Sequence, residues 1–460
     1  MASLLQALRE SFNGEEKDFT EGSLRRAIVL LAAPMILETA MESLFAVVDI
    51  FFIAQLGDDA VATVGLTESL LTFVFAIAMG LSFATTAYVA RRIGEKDPEA
   101  AAHGAMQSIY IGMASSVLIG VIGVVFTPQL LSLMGASEGM LRNSGYTRVS
   151  LGGSATVMML FLLNAIFRGA GDAVIAMKVL WFGNLINIVL NPCLIFGWGP
   201  FPEMGITGAA VGTVIGRGSG VLYQVWQLFR GPGRIRLTPA ALRFDRTLMG
   251  HILKPAASGM FQIFVATASW TALIRIASTF GAEVLAGYTI AIRVVIFSIL
   301  PSWGLCNAAA TLVGQNLGAG KPDRAEASVW AAARYNLYFL GSLSFVFLVF
   351  AESILGIFTH EPNVIAIGAE CLRFISAAYV FLSYGMMMEQ AFNGAGDTYT
   401  PTLINLGCYW VLQIPLAWTL AIGLGYGPRG VFSAITVAET AVAIVAILVF
   451  RRGAWKQQQI

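Results

Sequence analysis

The sequence RGAGDA at residues 168–173 recurs as NGAGDT at residues 393–398, and this pair shows how the chain is organised. A second pair, RRIGEKDPEAA at 91–101 and QNLGAGKPDRAEA at 315–327, has nearly the same separation of about 224 residues. Gly followed by Asp also suits a short loop, in which Gly ends one helix and Asp begins the next. The repeat therefore rests on the constant offset, which predicts two related halves.

The composition predicts a membrane protein. Hydrophobic residues make up 57% and charged residues 12% of the 460 residues, and the mean hydropathy is +0.74. Soluble domains have about 45–50% and about 25% of these residues. The formal net charge of +1 gives no indication of an acidic or nucleic-acid partner.

Apolar runs separated by Gly, Pro and charged residues predict an all-α integral membrane protein with twelve transmembrane helices. An even number of spans separates equivalent points, so the two six-helix repeats are parallel. We expect an N-terminal segment at 1–24, a first lobe at 25–230, a linker at 231–249, a second lobe at 250–451 and a tail at 452–460. The spans are expected near 27–54, 60–85, 104–127, 146–168, 173–196, 205–229, 250–279, 283–308, 330–356, 371–393, 399–423 and 429–451.

The distribution of Lys and Arg predicts the orientation of these spans. The N-terminus, the loops after spans 2, 6 and 8 and the C-terminus are basic, whereas the loops after spans 1 and 5 contain no Lys or Arg. Both termini should therefore be cytoplasmic, in a multi-pass protein of the cell inner (plasma) membrane. The first twenty or so residues lack the layout of a signal peptide, and we expect them to stay as a short surface helix.

The four cysteines and three histidines give no sign of a metal centre or a catalytic constellation. The cysteines have no metal-ligand spacing, and the histidines are scattered at predicted span edges. We therefore expect no enzymatic activity and no cofactor other than a coupling ion.

PMILETAMESLFAVVDIFF, residues 34–52, places three carboxylates in the first predicted span. Glu38, Glu42 and Asp49 share one narrow face of a helix over roughly 16 Å of its length. A carboxylate exposed to lipid at mid-depth costs at least about 2.5–3.5 kcal/mol, so this face is expected to line a hydrated pathway. Alternatively, some of these groups are structural and pair with Arg217 or another cation, or Glu38 lies close to the surface. Asp49 is the strongest candidate for a functional carboxylate.

Span 5 contains the sequence NLINIVLNP at residues 184–192. Three of its side chains lie within about 80° of one another on a helix: Asn184, Asn187 and Asn191. Oxygen donors beside one carboxylate suit a hard cation such as Na⁺, or a proton held on Asp49. Alternatively, the Asn side chains tie helices together.

With these features the chain resembles the multidrug and toxic compound extrusion (MATE) family of cation-coupled antiporters. The resemblance rests on an ordered set of motifs along essentially the whole chain: P-x-x-x-E and VDIFFIAQLG in span 1, NAIFRGAGD in span 4, NLINIVLNP in span 5 and GITGAAVGT leading into span 6. It implies two six-helix bundles forming a V. It also implies export of cationic or amphipathic compounds in exchange for Na⁺ or H⁺.

The resemblance implies a cation-coupling site in the N-terminal lobe. Its motif positions fall on Asp49, Asn187, Asn191, Thr213 and Asn164. Asp49 and Asn187 are then also the candidate Na⁺ ligands. One branch of the family has a second Asp directly before the span-5 proline, where this chain has Asn191. This difference leaves the choice between Na⁺ and H⁺ open.

Another branch of the family relies on acids in spans 7 and 10. Here span 7 has Gln262 and no acid, so the N-terminal lobe is favoured. Glu389 of span 10 could line the substrate cavity, or cap or gate the cytoplasmic end. Phe45, Trp410 and the methionines 386–388 could add an adaptable apolar surface, although such residues more often face lipid or the core. The residues expected to line the cavity are Glu38, Glu42, Gln262, Tyr384 and Glu389.

Two rival functions fit parts of the sequence. A lipid-linked oligosaccharide flippase shares the two-lobe architecture but presents a basic cavity, whereas the stripe here is acidic. An ion channel would suit the acidic stripe but leaves the duplication without a role. The expected partners are a small cationic or amphipathic substrate and the lipid bilayer, with no nucleic acid, and the chain is expected to be a monomer.

Overall fold

The computed structural model describes residues 10–12, 18–231 and 233–460, without the side chains of residues 45–47. The described residues are almost entirely helical, so the predicted all-α fold is confirmed. The predicted N-terminal surface helix and the side chain of Phe45 lie largely or wholly outside the described residues.

Each half of the chain is a succession of helices that run back and forth across the bundle. In the first half these are α1 Leu24–Ile53, α2 Asp58–Gly94, α3 Pro98–Leu133, α4 Ser144–Gly152, α5 Ser154–Ala170, α6 Ala173–Phe196 and α7 Ile206–Arg230. In the second half they are α8 Arg246–Ala277, α9 Ala282–Gly318, α10 Pro322–Leu355, α11 Pro362–Ala377, α12 Tyr379–Ala395, α13 Tyr399–Gly423 and α14 Pro428–Arg451. Short helical segments lie at Ala54–Leu56, Glu138–Arg142, Ser278–Phe280 and Ala454–Gln457.

Two of the predicted spans are broken helices rather than single ones. α4 and α5 meet at Gly153 with a bend of 40°, and α11 and α12 meet at Ala378 with a bend of 56°. The backbone angles at the two breaks are nearly the same, with φ −83° and ψ 7° at Gly153 and φ −82° and ψ −7° at Ala378. The breaks occupy equivalent positions of the two halves, so the bend belongs to the repeated unit.

Most of these helices have the length and composition of membrane spans. In the described chain eight helices are long and apolar enough to cross a membrane, or ten if each bent pair counts as one span. α1 and α7 are not among them, and they carry Glu38, Glu42, Asp49 and Arg217. The prediction of an all-helical membrane protein is confirmed.

The internal repeat is also visible in the backbone of matched turns. Gly171 ends α5 with φ 91°, and Gly396 ends α12 with φ 87°. Gly205 precedes α7 with φ 54°, and Gly427 precedes α14 with φ 62°. Glycine adopts these positive φ values without the strain that a side chain would bring. The matched glycines therefore make the same turns in both halves.

The two halves meet through helices that approach closely enough to exclude a side chain. A β-carbon on Gly80 of α2 would lie 2.3 Å from the backbone nitrogen of Met260 in α8. A β-carbon on Gly304 of α9 would lie 2.6 Å from the backbone nitrogen of Ile36 in α1. Such contacts let helices pack without a hydrophobic driving force between them.

The hydrogen bonds that join the two halves lie at one end of the bundle, which we call the terminal end. It is formed by residues 18–23, 91–98, 168–173, 311–324 and 452–460. The Arg91 side chain donates to the backbone oxygen of Gln458 at 2.5 Å. Thr311 and Gln315 of α9 donate to the backbone oxygens of Arg168 and Gly169 at 3.2 and 2.9 Å. At the opposite end, the part of the chain that the structure describes has no hydrogen bond between the halves.

The segment before α1 contributes to these contacts between the halves at the terminal end. Arg324 of α10 donates to the backbone oxygens of Phe19, Glu21 and Gly22 at 2.8 to 3.3 Å. Thr20 donates to Asp18 from its hydroxyl at 2.6 Å and from its backbone nitrogen at 2.8 Å. The hydroxyl bond in particular lowers the pKa of Asp18. Residues 18–23, which we call the strap, therefore fold against α10 of the second half.

Candidate functional site

Asp49, near the end of α1, meets α6 and α7 through a chain of side-chain hydrogen bonds. The Nδ2 of Asn191 donates to the Oδ1 of Asp49 at 2.5 Å. Asn187 and Asn191 donate to each other's side-chain oxygens at 3.3 and 3.1 Å. The Nδ2 of Asn187 also donates to the Oγ1 of Thr213 at 3.1 Å. The structure thus brings together four of the five residues of the predicted coupling site.

The amides of this cluster are buried, but its carboxylate is not sealed. Asn187 is 1% exposed and Asn191 0% exposed. Asp49 and Thr213 are half-buried. The cluster therefore pairs a carboxylate that has some exposure with a fixed set of amides behind it.

Glycines of α7 allow α6 to come close enough for these contacts. A β-carbon on Gly212 would lie 2.4 Å from the side-chain oxygen of Asn191. A β-carbon on Gly216 would lie 2.6 Å from the backbone oxygen of Gly183 in α6. The small residues of α7 therefore permit the close approach of α6.

Asn164, the fifth predicted coupling residue, lies in a separate cluster around Glu38. Asn164 and Arg168 of α5 donate to the same Oε1 of Glu38 at 3.0 and 2.7 Å. Gln224 of α7 donates to the Oδ1 of Asn164 at 2.6 Å. Glu38 and Asn164 are both 4% exposed. Glu38 is therefore held in a buried ion pair, and α1, α5 and α7 meet there.

The three acids of α1 have different partners. Glu42 forms an ion pair with Arg217 of α7 at 3.2 Å, with side-chain exposures of 31% for Glu42 and 12% for Arg217. The sequence analysis named this pairing with Arg217 as the alternative to a functional role for the acids of α1. The described hydrogen bond of Asp49, however, comes from an uncharged amide.

The oxygen atoms of the Asp49 cluster are not arranged as a sodium site in this structure. A sodium site needs several oxygen atoms directed at one point. The side-chain oxygens of Asn187 and Asn191 each accept a hydrogen bond from the other residue, and Thr213 accepts one from Asn187. Over the described ranges there is also no group of three or more His, Cys, Asp or Glu residues suited to a metal ion. A proton on Asp49 requires none of these oxygens to turn.

The predicted cavity residues of the second half lie apart from this cluster. Gln262 of α8 is 5% exposed, while Tyr384 and Glu389 of α12 are half-buried. The side-chain oxygen of Gln262 and the Oε1 of Glu389 are buried without a hydrogen-bond partner among the residues described. Trp410 of α13 donates to the backbone oxygen of Val265 at 2.9 Å, which ties α13 to α8. A role for these residues in substrate binding stays a prediction.

Three residues that the sequence analysis did not select complete the two clusters. Arg168 and Gln224 hold Glu38 and Asn164, and Gly212 leaves room for Asn191. Asn164 and Arg168 are four residues apart, which places them on one helix face and could have indicated Arg168. The sequence has no local signal for Gln224, because its partner comes from another helix.

Comparison with known proteins places the chain among transporters. The family model described as MatE matches residues 34–193 and 259–419. The chain is 27% identical over 445 residues to the "Probable multidrug resistance protein NorM" of Thermotoga maritima, covering 95% of this chain and 94% of the relative. A crystal structure of MATE in complex with MaL6 superimposes with a TM-score of 0.88 at 26% identity, covering 96% and 99% of the two chains. A structure described as the outward-facing conformation of a multidrug resistance MATE family transporter has a TM-score of 0.89 at 25% identity, covering 96% and 100%.

Proposed function

The chain belongs to the MatE family of multidrug and toxic compound extrusion transporters, and from this premise we propose that it exports cationic or amphipathic compounds in exchange for H⁺. Membership makes it a multi-pass membrane transporter and not an enzyme. The relative and one of the structural neighbours are described as multidrug resistance proteins, which supports a broad substrate range for this chain. Membership also favours coupled transport over the rival channel and flippase functions.

The observation that carries the proposal is the 2.5 Å hydrogen bond from Asn191 to Asp49. A hydrogen bond to a carboxylate is about twice as strong as one between neutral groups. Protonation of Asp49 removes the negative charge, weakens this bond and lets α1 repack against α6 and α7. A ligand shifts a conformational equilibrium only if it binds the two states with different affinities. The proton must therefore bind the form that is open at the terminal end more tightly than the other form.

H⁺ is the coupling ion that the arrangement of donors favours. The amide oxygens beside Asp49 already accept hydrogen bonds, so Na⁺ would share these oxygens with the N–H donors. A proton needs only the carboxylate, and Asp49 is half-buried. Substrate would leave toward the opposite end as the proton arrives.

We place the terminal end in the cytoplasm and the protein in the cell inner (plasma) membrane, because the basic connections lie at that end. Closure of the terminal end then fits a form that faces outward. The substrate would bind between an N-terminal lobe at 25–230 and a C-terminal lobe at 250–451. Its surroundings would include Glu42, Gln262, Tyr384 and Glu389, and a single chain would suffice.

The test is the uptake of a cationic dye into inverted membrane vesicles, driven by a pH gradient or by a Na⁺ gradient. Asp49→Asn should reduce pH-driven uptake by at least about tenfold, because the loss of one charge-assisted hydrogen bond is worth about 1.5–3 kcal/mol. Asp58→Asn, the same change at an exposed residue of the opposite end, should leave uptake unchanged. Full pH-driven uptake in Asp49→Asn would remove Asp49 from the mechanism, and uptake driven by Na⁺ alone would replace H⁺ by Na⁺.

A further inference from the structure

Arg168, in the last turn of α5, contacts both a buried acid and the other half of the protein. Its Nη1 bonds the Oε1 of Glu38 in α1 at 2.7 Å. Its backbone oxygen accepts a hydrogen bond from the Oγ1 of Thr311 in α9 at 3.2 Å. The side chains of Arg168 and Glu38 are only 11% and 5% exposed. One residue therefore joins α1 through its side chain and α9 through its backbone.

The end of α5 is the place where α9 docks on the first half. The backbone oxygen of Gly169 accepts a hydrogen bond from the side chain of Gln315 at 2.9 Å. The last carbonyl groups of a helix lack their regular helical partners, so side chains of another helix can supply them. Thr311 is 0% exposed and Gln315 is 1% exposed, so this contact excludes water.

α1 also touches α9 directly, close to Glu38. A β-carbon on Gly304 of α9 would lie 2.6 Å from the backbone nitrogen of Ile36, two residues before Glu38. Thr311 follows Gly304 by about 10 Å along the axis of α9. α1, α5 and α9 thus form a closed triangle. The Glu38–Arg168 ion pair is the side of the triangle that joins the two helices of the first half.

The same ion pair is connected to the Asp49 cluster. Glu38 and Asp49 lie on one helix, about 16 Å apart along its axis. Glu38 also reaches α7 through Asn164 and Gln224, and α7 carries Thr213 of the Asp49 cluster. A shift of α1 against α6 and α7 at Asp49 must therefore act on Glu38.

We propose that the Glu38–Arg168 pair is a positioning element that holds the end of α5 against α9 and so links the state of Asp49 to closure of the terminal end. The link rests on the proposed function of Asp49. When α1 moves, Glu38 draws Arg168 with it, and Thr311 and Gln315 lose their acceptors. Neither Glu38 nor Arg168 needs to contact the substrate for this role.

A second ion pair of α1 provides a matched control. Glu42 lies one turn after Glu38 and also pairs with an arginine, but Arg217 belongs to α7 of the same half. If any loss of charge on α1 opened the terminal end, both pairs would have the same effect. If the connection through α5 matters, disruption of the Glu38 pair should open the terminal end much more than disruption of the Glu42 pair.

The experiment measures the distance between spin labels at the terminal end, in the full chain without substrate or ion gradient. Labels at Glu99→Cys in α3 and Ala327→Cys in α10, both exposed, report on the two halves in a background without the four native cysteines. Glu38→Gln should raise the ratio of open to closed populations by about threefold or more. Glu42→Gln should change it much less. Unchanged distances in Glu38→Gln, or an equal shift in Glu42→Gln, would overturn the proposal.

Two further variants guard against a general loss of structure. Glu38→Gln combined with Arg168→Gln leaves no unpaired buried charge and should open the terminal end to the same extent as Glu38→Gln. Thr311→Val should also open it, and adding Glu38→Gln to Thr311→Val should have little further effect. Fully additive shifts would show that the two residues act independently and would overturn the link.

The dependence on Asp49 is tested in the same labelled protein. Asp49→Asn, which mimics the protonated acid, should shift the distances in the parent and much less in Glu38→Gln. Equal shifts in both backgrounds would overturn the link. If vesicles showed full pH-driven uptake for Asp49→Asn while Glu38→Gln still opened the terminal end, the proposed function would fail and the positioning role of Glu38 would stand.

Discussion

Gly212 of α7 lies where a β-carbon would come within 2.4 Å of the side-chain oxygen of Asn191. Asn191 has little freedom to move away, because its Nδ2 donates to both Asp49 and Asn187. The surroundings of Asp49 are therefore shaped by the absence of a side chain on a neighbouring helix.

We expect Gly212→Ala to impair transport without preventing folding. The added methyl group turns the Asn191 side chain away from Asp49, and pH-driven dye uptake should fall by at least about tenfold, in keeping with one charge-assisted hydrogen bond. Gly218→Ala on the same helix is the control, because its β-carbon would make an ordinary contact of 3.6 Å with Thr156. Equal uptake by the two variants would contradict this account of Gly212.

Asn191→Asp should change the ion preference. A second carboxylate beside Asp49 supplies the kind of oxygen ligand that hard cations take, so Na⁺-driven uptake should rise by about tenfold or more over the parent protein. Asn184→Asp is the matched control, since Asn184 donates to the backbone oxygen of Met41 and not to Asp49. Vesicle uptake under separate Na⁺ and pH gradients decides the matter, and an equal gain in both variants would argue against a specific site.

Alanine substitutions at two glycines of α2 should have opposite effects on stability. At Gly80 the new β-carbon would lie 2.3 Å from the backbone of Met260, and such overpacking costs about 1–3 kcal/mol. At Gly65 there is nothing within 4 Å of that position, and removing a glycine from a helix gains about 0.5–1 kcal/mol. Thermal unfolding of the purified protein should show a lower midpoint for Gly80→Ala and an equal or higher one for Gly65→Ala. A lower midpoint for both would mean that the contact with α8 is not what matters.

Arg324→Ala should release the strap before α1 from the second half. Arg324 donates to three backbone oxygens of residues 19–22, and an alanine leaves them to water. Hydrogen exchange measured by mass spectrometry should become faster in the peptide that contains residues 18–23. Arg373→Ala, which removes an exposed arginine paired with Glu352 inside the second half, should leave that peptide unchanged. Unaltered exchange in Arg324→Ala would show that other contacts hold the strap.

The helices and the repeat could be predicted because their signals are local. Apolar runs give the spans, and Gly and Asp at a constant offset give matching turns such as Gly171 and Gly396. Helical periodicity also placed Asn187 and Asn191 on one face, and the family resemblance joined them to Asp49. The ends of the helices were less accessible: α2 continues to Gly94 rather than to residue 85. Its last turn is rich in charge, and Arg91 there binds the backbone of Gln458.

The features that the sequence did not reveal depend on contacts between distant segments. The break at Gly153 has a glycine pair as a signal, but its counterpart at Ala378 follows another alanine and has none. The partner of Glu38 could not be chosen from the sequence, because Arg168 lies 130 positions away and several arginines were available. Only the packing of α1 against α5 decides that choice.

In the described chain, all hydrogen bonds between the halves lie at the terminal end. Their position affects the free energy that a transport cycle without cargo requires. Opening that end gives up these bonds, and either new contacts at the other end or a bound ligand must offset their loss. Reversing a population from 1:99 to 99:1 takes about 5.5 kcal/mol, whereas one proton moving down a gradient of one pH unit supplies about 1.4 kcal/mol. Where new contacts at the other end do not offset the loss, the cargo must contribute to opening through its own binding energy. A carrier without cargo would cycle rarely, and protons would seldom leak through it.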